Sequence, residues 1–377
     1  MDAAIALVEP QMEGIFHAPF NAALLHAVRL AYPEAAVSFR AFSGHARVVR
    51  GILDEHAPGL AERVEWRTLP FAAGGPLIAR WRRSGQTIRT LLDRRERLLF
   101  CSISRMQLLH LKRAMRQGDQ VRAVLHGDLD QIERPPRASL PMRPFTLERV
   151  LLRPHPAGLR YLLLGESIRE HLPERFSVLR ANAQVIDHPY HFLPLRATAA
   201  RTPVFGIFGN CGDGRLLEEV ARAVKAADPA ILIRLVGFLS DREAVERLRP
   251  LVEDVGDLPI PRESFLRRAE EITHALWLAP TGSFRLRASG TFFDALAHGT
   301  PLIYTANPYI DQHLSGTWTA GVRCASTEDI VRAVLEVVGT YTPVAYFAQR
   351  ETLADLRARF SPTALARSLP ATLGWEG

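Results

Sequence analysis

Short apolar runs and helix-length stretches alternate along this chain in two successive series. In the first, Ala4–Val8, Val37–Phe42, Val64–Leu69, Leu98–Ser102, Val121–Leu125 and Leu159–Leu164 read as strands, and Gln184–Asp187 closes the series. Helical patterns lie between them. Ala22, Leu25, Ala27, Val28 and Leu30 fall along one side of a helix; Val48, Ile52 and Leu53 mark another, and Met106–Met115 a third. Ser167 is placed to cap a helix over Ile168–Leu172. A second series begins with a strand at Pro203–Gly209. A helix over Leu216–Ala226, a strand at Ala230–Gly237, a strand-like Leu251–Val252 and a helix from Glu263 follow. A strand at Ala275–Leu278, a short helix, a strand from Leu302 and a helix over Ile330–Val338 come next, and helices fill 344–369. This rhythm is the one a doubly wound α/β domain requires, given twice.

Length agrees. A chain of 377 residues is too long for one ordinary core and divides into two domains of roughly 190 residues each. The polar, Pro-bearing stretch from His188 to Pro203 reads as the linker. The expected division is a first domain over 1–190, a linker over 191–203, a second domain over 204–343 and terminal helices over 344–377. Hydrophobic content of 47% is globular, and no uncharged apolar run reaches the ~18 residues of a spanning helix. The chain starts Met1-Asp2-Ala3-Ala4-Ile5, acidic and directly into a strand, unlike a signal peptide. Cys101, Cys211 and Cys324 are odd in number and far apart, which argues against a disulfide framework or a zinc site and fits a reducing cytoplasm.

The formal charge of +7 is uneven. Residues 1–200 hold 28 Lys and Arg against 19 Asp and Glu, whereas the rest hold 19 against 21. A basic first half points to an anionic partner such as a membrane surface or a nucleic acid. Lys occurs only at 112 and 225, so compositional bias explains Arg over Lys but not the asymmetry.

The stretch from Trp277 to Thr305 carries the sharpest chemical signal. An apolar strand enters a loop that ends at Ala288-Ser289-Gly290-Thr291, where a short helix opens; Gly299 and Pro301 stop that helix before the next strand. A small-residue turn at a helix start offers backbone N–H groups and the positive end of the dipole to an anion. Asp294, one turn in, brings a carboxylate within reach of a ribose. Ser289 as an ordinary helix cap is the plainer alternative.

The run Asp294-Ala295-Leu296-Ala297-His298-Gly299-Thr300-Pro301-Leu302-Ile303 resembles the donor-binding segment of GT-B glycosyltransferases, especially retaining family 4, where an acidic residue precedes Ala-x-Ala-x-Gly-x-Pro-hydrophobic. The sequence departs from that pattern at Leu286, where the family has Glu; Arg285, Arg287 and Ser289-Gly290-Thr291 occupy this region instead. The resemblance implies an α/β chain of two Rossmann-like doubly wound domains facing a cleft, with a C-terminal helix returning to the first domain. It further implies a nucleotide diphosphate sugar held by the second domain.

Further candidates take their roles from that resemblance. Gly206–Arg215 reads as a Gly-rich loop between strand and helix, with Gly209 and Asn210 in the loop and Arg215 on the donor diphosphate. Arg287, Ser289, Gly290, Thr291 and Asp294 complete the expected donor site. Asp257-Leu258-Pro259-Ile260-Pro261 matches by position a loop that holds the nucleobase. After the first strand, Glu13, Gly14 and His17 are candidates for the transferred sugar and acceptor; a surface loop with His17 capping a helix is the alternative. His126 stands at a strand end where the family's histidine reaches a hydroxyl of the donor sugar, or else it is a buried histidine satisfied by backbone. Asp128-x-Asp130 resembles a metal-binding pair, but that usage belongs to another glycosyltransferase fold, so no metal and no cofactor are expected. If transfer inverts the anomeric centre, a carboxylate base is required, and Glu13 and Asp128 are the candidates.

Leu77, Trp81, Ile88 and Leu92 fall near one face of a helix rich in arginine, including Arg80, Arg82 and Arg83. Such helices lie on anionic membranes, or simply pack on their own sheet. The expected activity is transfer of a sugar to a glycan or lipid-linked acceptor, in bacterial surface polysaccharide or glycolipid synthesis. The expected place is the cytoplasm, with peripheral contact at the inner membrane face. A nucleotide-sugar epimerase of the same architecture and a nucleic-acid-binding protein are the rivals. The latter is disfavoured because no basic strand is interleaved with aromatics, so no nucleic acid is expected as partner.

Overall fold

The computed structural model describes residues 4–70, 76–133, 145–192, 194–195, 201–211, 214–280, 282–314 and 320–375. Its contacts divide the chain into two compact units. One comprises Met1–His191, Leu286–Ala288 and Arg359–Gly377; the other comprises Phe192–Arg285 and Ser289–Ala358.

The first unit is built on seven strands: β1 (Ile5–Glu9), β2 (Val37–Ala41), β3 (Glu65–Thr68), β4 (Arg97–Phe100), β5 (Val121–Val124), β6 (Leu159–Leu163) and β7 (Ala183–Val185). They are ordered β3-β2-β1-β4-β5-β6-β7, and every pairing is parallel. Parallel strands need helical crossovers that cover both faces, so inner strands are buried throughout. β1 obeys this: all five of its residues are buried. β3, at the edge, alternates charged residues, and its Arg67 pairs with Glu65 at 2.6 Å. Charges on an edge strand discourage pairing with another chain.

The second unit holds β8 (Val204–Cys211), β9 (Leu232–Leu239), β10 (His274–Trp277), β11 (Leu302–Thr305) and β12 (Gly321–Cys324). They are ordered β12-β11-β10-β8-β9, again parallel. Its core packs Ile207, Leu235, Leu276 and Ile303 from the sheet against Leu217, Val220 and Val334 from helices Gly214–Ala227 and Thr327–Thr340.

The last helix, Pro362–Leu373, belongs to the first unit and packs on helix Ala18–Ala31. Ser361 caps it by accepting from the Ala364 N–H, and Pro362 suits its first turn because no helical N–H is needed there. Its end is clamped from β5: Arg122 Nε donates to the Leu373 carbonyl at 2.6 Å. Trp375 follows, fully enclosed, its ring 5.6 Å from the Arg122 guanidinium and 6.0 Å from that of Arg97. The returning C-terminal helix implied by the resemblance is therefore present.

Several local expectations shift. Leu251 and Val252 form a turn, not a strand, and only Glu253 makes an isolated bridge, to Arg234. Ser167 lies inside helix Glu166–Glu170, and Gly165 takes the cap position. Strand β8 runs through Gly209 and Asn210 to Cys211, so most of the expected Gly-rich loop is strand. No described helix is long and apolar enough to cross a membrane.

Candidate functional site

In the second unit, β8 ends against the first turn of helix Gly290–Ala297. Gly209 has φ +72°, and a Cβ there would lie 2.6 Å from Thr291 Cγ2 and 3.9 Å from Asp294 Oδ2. Only glycine permits both the dihedral and the approach. Gly209, Thr291 and Asp294, read separately from the sequence, thus meet at one point. Asn210 is exposed beside them, its Oδ1 accepting from Ser240 Oγ at 3.1 Å. Arg215 is exposed in the first turn of the helix after β8.

Ser289 caps the helix: its Oγ accepts from the Phe292 N–H at 3.3 Å and from Trp277 Nε1 at 2.8 Å. The side chain is fully buried, so Ser289 serves the turn's shape. Gly290, the next residue, is exposed, and a Cβ there would meet nothing within 4 Å. The helix start is therefore open to an incoming group. Leu286 is fully buried, with no polar group to offer where the family's Glu would stand. Arg287 groups by its contacts with the first unit, where its guanidinium lies 3.0 Å from Asp130.

In the first unit, the loop after β1 leads to helix Ala18–Ala31. Glu13 is exposed, Gly14 has φ +63°, and His17 has φ +60° at the helix cap without a capping hydrogen bond from its side chain. The His17 ring stacks on His126, centroids 3.9 Å apart, and Phe20 meets His126 edge-on at 4.7 Å. The Nδ1 atoms of His17 and His126 are buried with no hydrogen-bond partner among the described residues. Burial pulls the His17 imidazole down to about 4, with His45 adding to the shift. Burial also holds His126 well below the usual imidazole range, aided by His17 and His188. Two neutral imidazoles thus stand face to face, able to accept or donate hydrogen bonds without carrying charge.

Asp128 Oδ1 accepts from Gln131 Nε2 at 2.8 Å, and burial raises its carboxyl above the usual range against the pull of Arg105. With Asp128 engaged by Gln131 and Asp130 paired with Arg287, each carboxylate of the Asp-x-Asp pair has its own protein partner.

Four residues that sequence reasoning missed lie beneath the loop after β1. Glu9 is fully buried at the end of β1 and receives hydrogen bonds from Ser102 and Asn21; Asn21 in turn contacts His45. The only signal was an acidic residue closing an apolar strand.

Helix Leu77–Leu92 turns a different face inward than its spacing suggested. Ser84, Gly85, Thr87, Ile88 and Leu91 are buried, so of the four expected residues Ile88 alone is fully covered. Trp81 is half-buried against His110 at 3.7 Å and Phe145 at 5.0 Å, with Arg113 over its ring. Gly85 makes room for His110, which a Cβ would approach to 2.7 Å. Arg80 and Arg82 are exposed, Arg83 is half-buried, and Ile78 is 68% exposed.

Solved structures match this fold over almost the whole chain. Anabaena HepE in complex with UDP-glucose is 14% identical, with a TM-score of 0.65 over 98% of this chain and 99% of that one. A glycosyltransferase from Rickettsia africae is 12% identical, TM-score 0.62, over 99% and 98% of the two chains. The lipopolysaccharide outer core galactosyltransferase WaaB is 11% identical, TM-score 0.59, over 98% and 99%. The fold is GT-B. No protein-family model matches the sequence, and no curated protein matches it. At these identities the GT-B likeness speaks for architecture, and the chemistry must be argued from the residues above.

Proposed function

We propose that this protein is a glycosyltransferase that takes a sugar from a nucleotide diphosphate sugar, with UDP-sugars as the first donors to test. One observation carries the reading: Gly209, the open start of the Gly290 helix and Asp294 converge at the carboxyl end of β8, where doubly wound sheets bind nucleotides. The N–H groups of Gly290 and Thr291, the positive end of their helix and Arg215 hold the diphosphate. These preorganised donors stabilise charge that grows on it as the glycosidic bond breaks, and they need no metal to do so. Asp294 binds the ribose. HepE, of the same fold, has been seen with UDP, with UDP and glucose, and with UDP-glucose, which favours a uridine donor here.

The first unit carries its own candidate groups for sugar or acceptor hydroxyls. His17 and His126, neutral and stacked, hydrogen-bond sugar hydroxyls. If the reaction inverts, Asp128 suits the base role better than exposed Glu13, because its raised pKa favours taking a proton. A surface glycan or lipid-linked acceptor is in keeping with the WaaB likeness and with the exposed arginines of helix Leu77–Leu92. Titration calorimetry with UDP, GDP, ADP and their sugars tests the reading. Wild type binds at least one, and Asp294→Ala and Arg215→Ala each weaken that binding by roughly tenfold or more. Equal binding by both variants would show that these roles are wrong.

A further inference from the structure

The end of β1 holds a buried carboxylate that the proposed chemistry does not use. Glu9 Oε1 accepts from Ser102 Oγ at 2.5 Å, from the Gln11 N–H at 3.0 Å and from the Met12 N–H at 3.2 Å. Oε2 accepts from Asn21 Nδ2 at 3.3 Å. The same Asn21 nitrogen lies 2.8 Å from His45 Nε2, and His45 Nδ1 lies 2.8 Å from the Gly14 carbonyl. A carbonyl only accepts, so His45 Nδ1 carries the proton and its Nε2 accepts from Asn21. Gln107 Nε2 donates to the Pro10 carbonyl at 3.2 Å. From Pro10 to Gly14, the backbone groups of four residues are therefore tied to side chains on β1 and on helices Ser43–His56 and Arg105–Ala114, while Asn21 and Ser102 hold the Glu9 carboxylate in turn.

Such an arrangement is costly unless it does something. A fully buried carboxylate loses its hydration and recovers it only through these donors. An apolar residue at position 9 would hold the strand equally well but would leave the N–H groups of Gln11 and Met12, and one of the two amide hydrogens of Asn21, without this acceptor. What the carboxylate specifies is the path of the loop. We propose that Glu9 is a positioning residue: with Ser102, Asn21 and His45, it fixes the loop from Pro10 to His17 in its working shape before any ligand binds. Glu13, Gly14 and His17 are then presented ready-made, and a bound sugar does not have to order them. The consequence for turnover rests on the glycosyltransferase reading; the positioning itself does not.

The test substitutes Glu9→Gln, which keeps the shape and one acceptor but turns an amide nitrogen toward Asn21 Nδ2. Relief requires Asn21 to present its Oδ1, which has no partner in the native arrangement. Oδ1 then faces His45 Nε2 and favours its protonation. Three results are expected. Amide exchange at Gln11 and Met12 accelerates by about tenfold. The His45 imidazole, followed by NMR, titrates at higher pH than in wild type, a change that general loosening would not produce. The acceptor kcat/KM falls by roughly tenfold while the KM for the sugar donor is unchanged. If Glu9→Gln does not fold, Ser102→Ala removes a single donor to the same oxygen and is expected to speed exchange at Gln11 and Met12 in the same way. Unaltered exchange and unaltered His45 titration would overturn the proposal. Faster exchange with unaltered acceptor kinetics would instead sink the catalytic role given to the loop, and the positioning would stand.

Discussion

Gly209 and Gly237 face each other across β8 and β9 with no room between them: a Cβ on Gly237 would sit 1.8 Å from the Gly209 carbonyl oxygen. Gly209 adopts φ +72° within the strand, and its carbonyl oxygen lies against Gly237 on the neighbouring strand. Gly237→Ala must push β9 away from β8 or force Gly209 out of its conformation. The expected cost is about 3 kcal/mol, read as a lower urea midpoint. Because Gly209 also borders Thr291 and Asp294, nucleotide binding is expected to weaken even where the variant remains folded. A variant with the wild-type midpoint and affinity would show that the two strands do not approach this closely.

The C-terminal clamp makes a second prediction. Arg122 donates to the carbonyls of Leu373, Val121 and Gly158, and Trp375 is buried beside it. Trp375→Ala removes a large enclosed side chain and should cost roughly 3 kcal/mol of stability. Arg122→Met keeps the packing but leaves the Leu373 carbonyl without this donor, for a loss of about 1–3 kcal/mol. Deleting residues 374–377 should resemble Trp375→Ala. Urea denaturation of the three proteins checks this; a tail that can be removed without effect would contradict the clamp.

The fold was legible in the sequence because strand and helix periodicity is written in local apolar spacing. The turn at Ser289 was legible because a Ser followed by Gly at the start of an apolar helix is a strong capping signal, and Ser289 does cap the helix. Neither signal reaches the candidate residues of the first unit. The His17–His126 stack joins residues more than a hundred positions apart through a left-handed backbone at His17, which local pattern does not announce. The apolar spacing ends the first strand at Val8 and leaves Glu9 to the loop, and only the packing of Asn21, His45 and Ser102 around it reveals a network. Gly209 was taken for a loop glycine, yet it is needed as a strand glycine under Thr291. Helix Leu77–Leu92 buries Ser84, Gly85, Thr87, Ile88 and Leu91, a face that the spacing of Leu77, Trp81, Ile88 and Leu92 does not mark because small residues make up much of it.

Acid should destabilise this protein earlier than most. Burial lowers the pKa of His17 and His274 to about 4, and those of His26, His45, His110, His126 and His155 also move down. Unfolded, such groups titrate near 6.5, so between these limits the unfolded chain binds more protons and stability falls as pH drops. Glu9 and Asp128 oppose the trend, since their raised pKa values make the folded state the better proton binder above the usual carboxylate range. Seven imidazoles outweigh two carboxyls. The melting temperature should be level from pH 7 to 8 and decline steadily from ~6.5 toward 5. His274→Asn should make that decline shallower, whatever it does to the plateau. A melting temperature that rose on acidification would reverse the sign of the argument.

Helix Leu77–Leu92 separates two readings of its aromatic residue. Trp81 is packed on His110 and Phe145, so Trp81→Ala should lower stability by about 2 kcal/mol and change any membrane affinity little. Ile78 is exposed beside Arg80 and Arg82, so Ile78→Ser should leave stability unchanged. If this helix meets an anionic membrane, the arginines carry the attraction at about 1 kcal/mol each, and Ile78 inserts. Co-sedimentation with vesicles containing phosphatidylglycerol should then show binding that weakens with salt, drops sharply in Arg80→Ala/Arg82→Ala and drops partly in Ile78→Ser. Binding that survives the double arginine variant would place any membrane contact elsewhere on the chain. A loss in Trp81→Ala alone, at wild-type stability, would mean that the ring leaves His110 for the lipid.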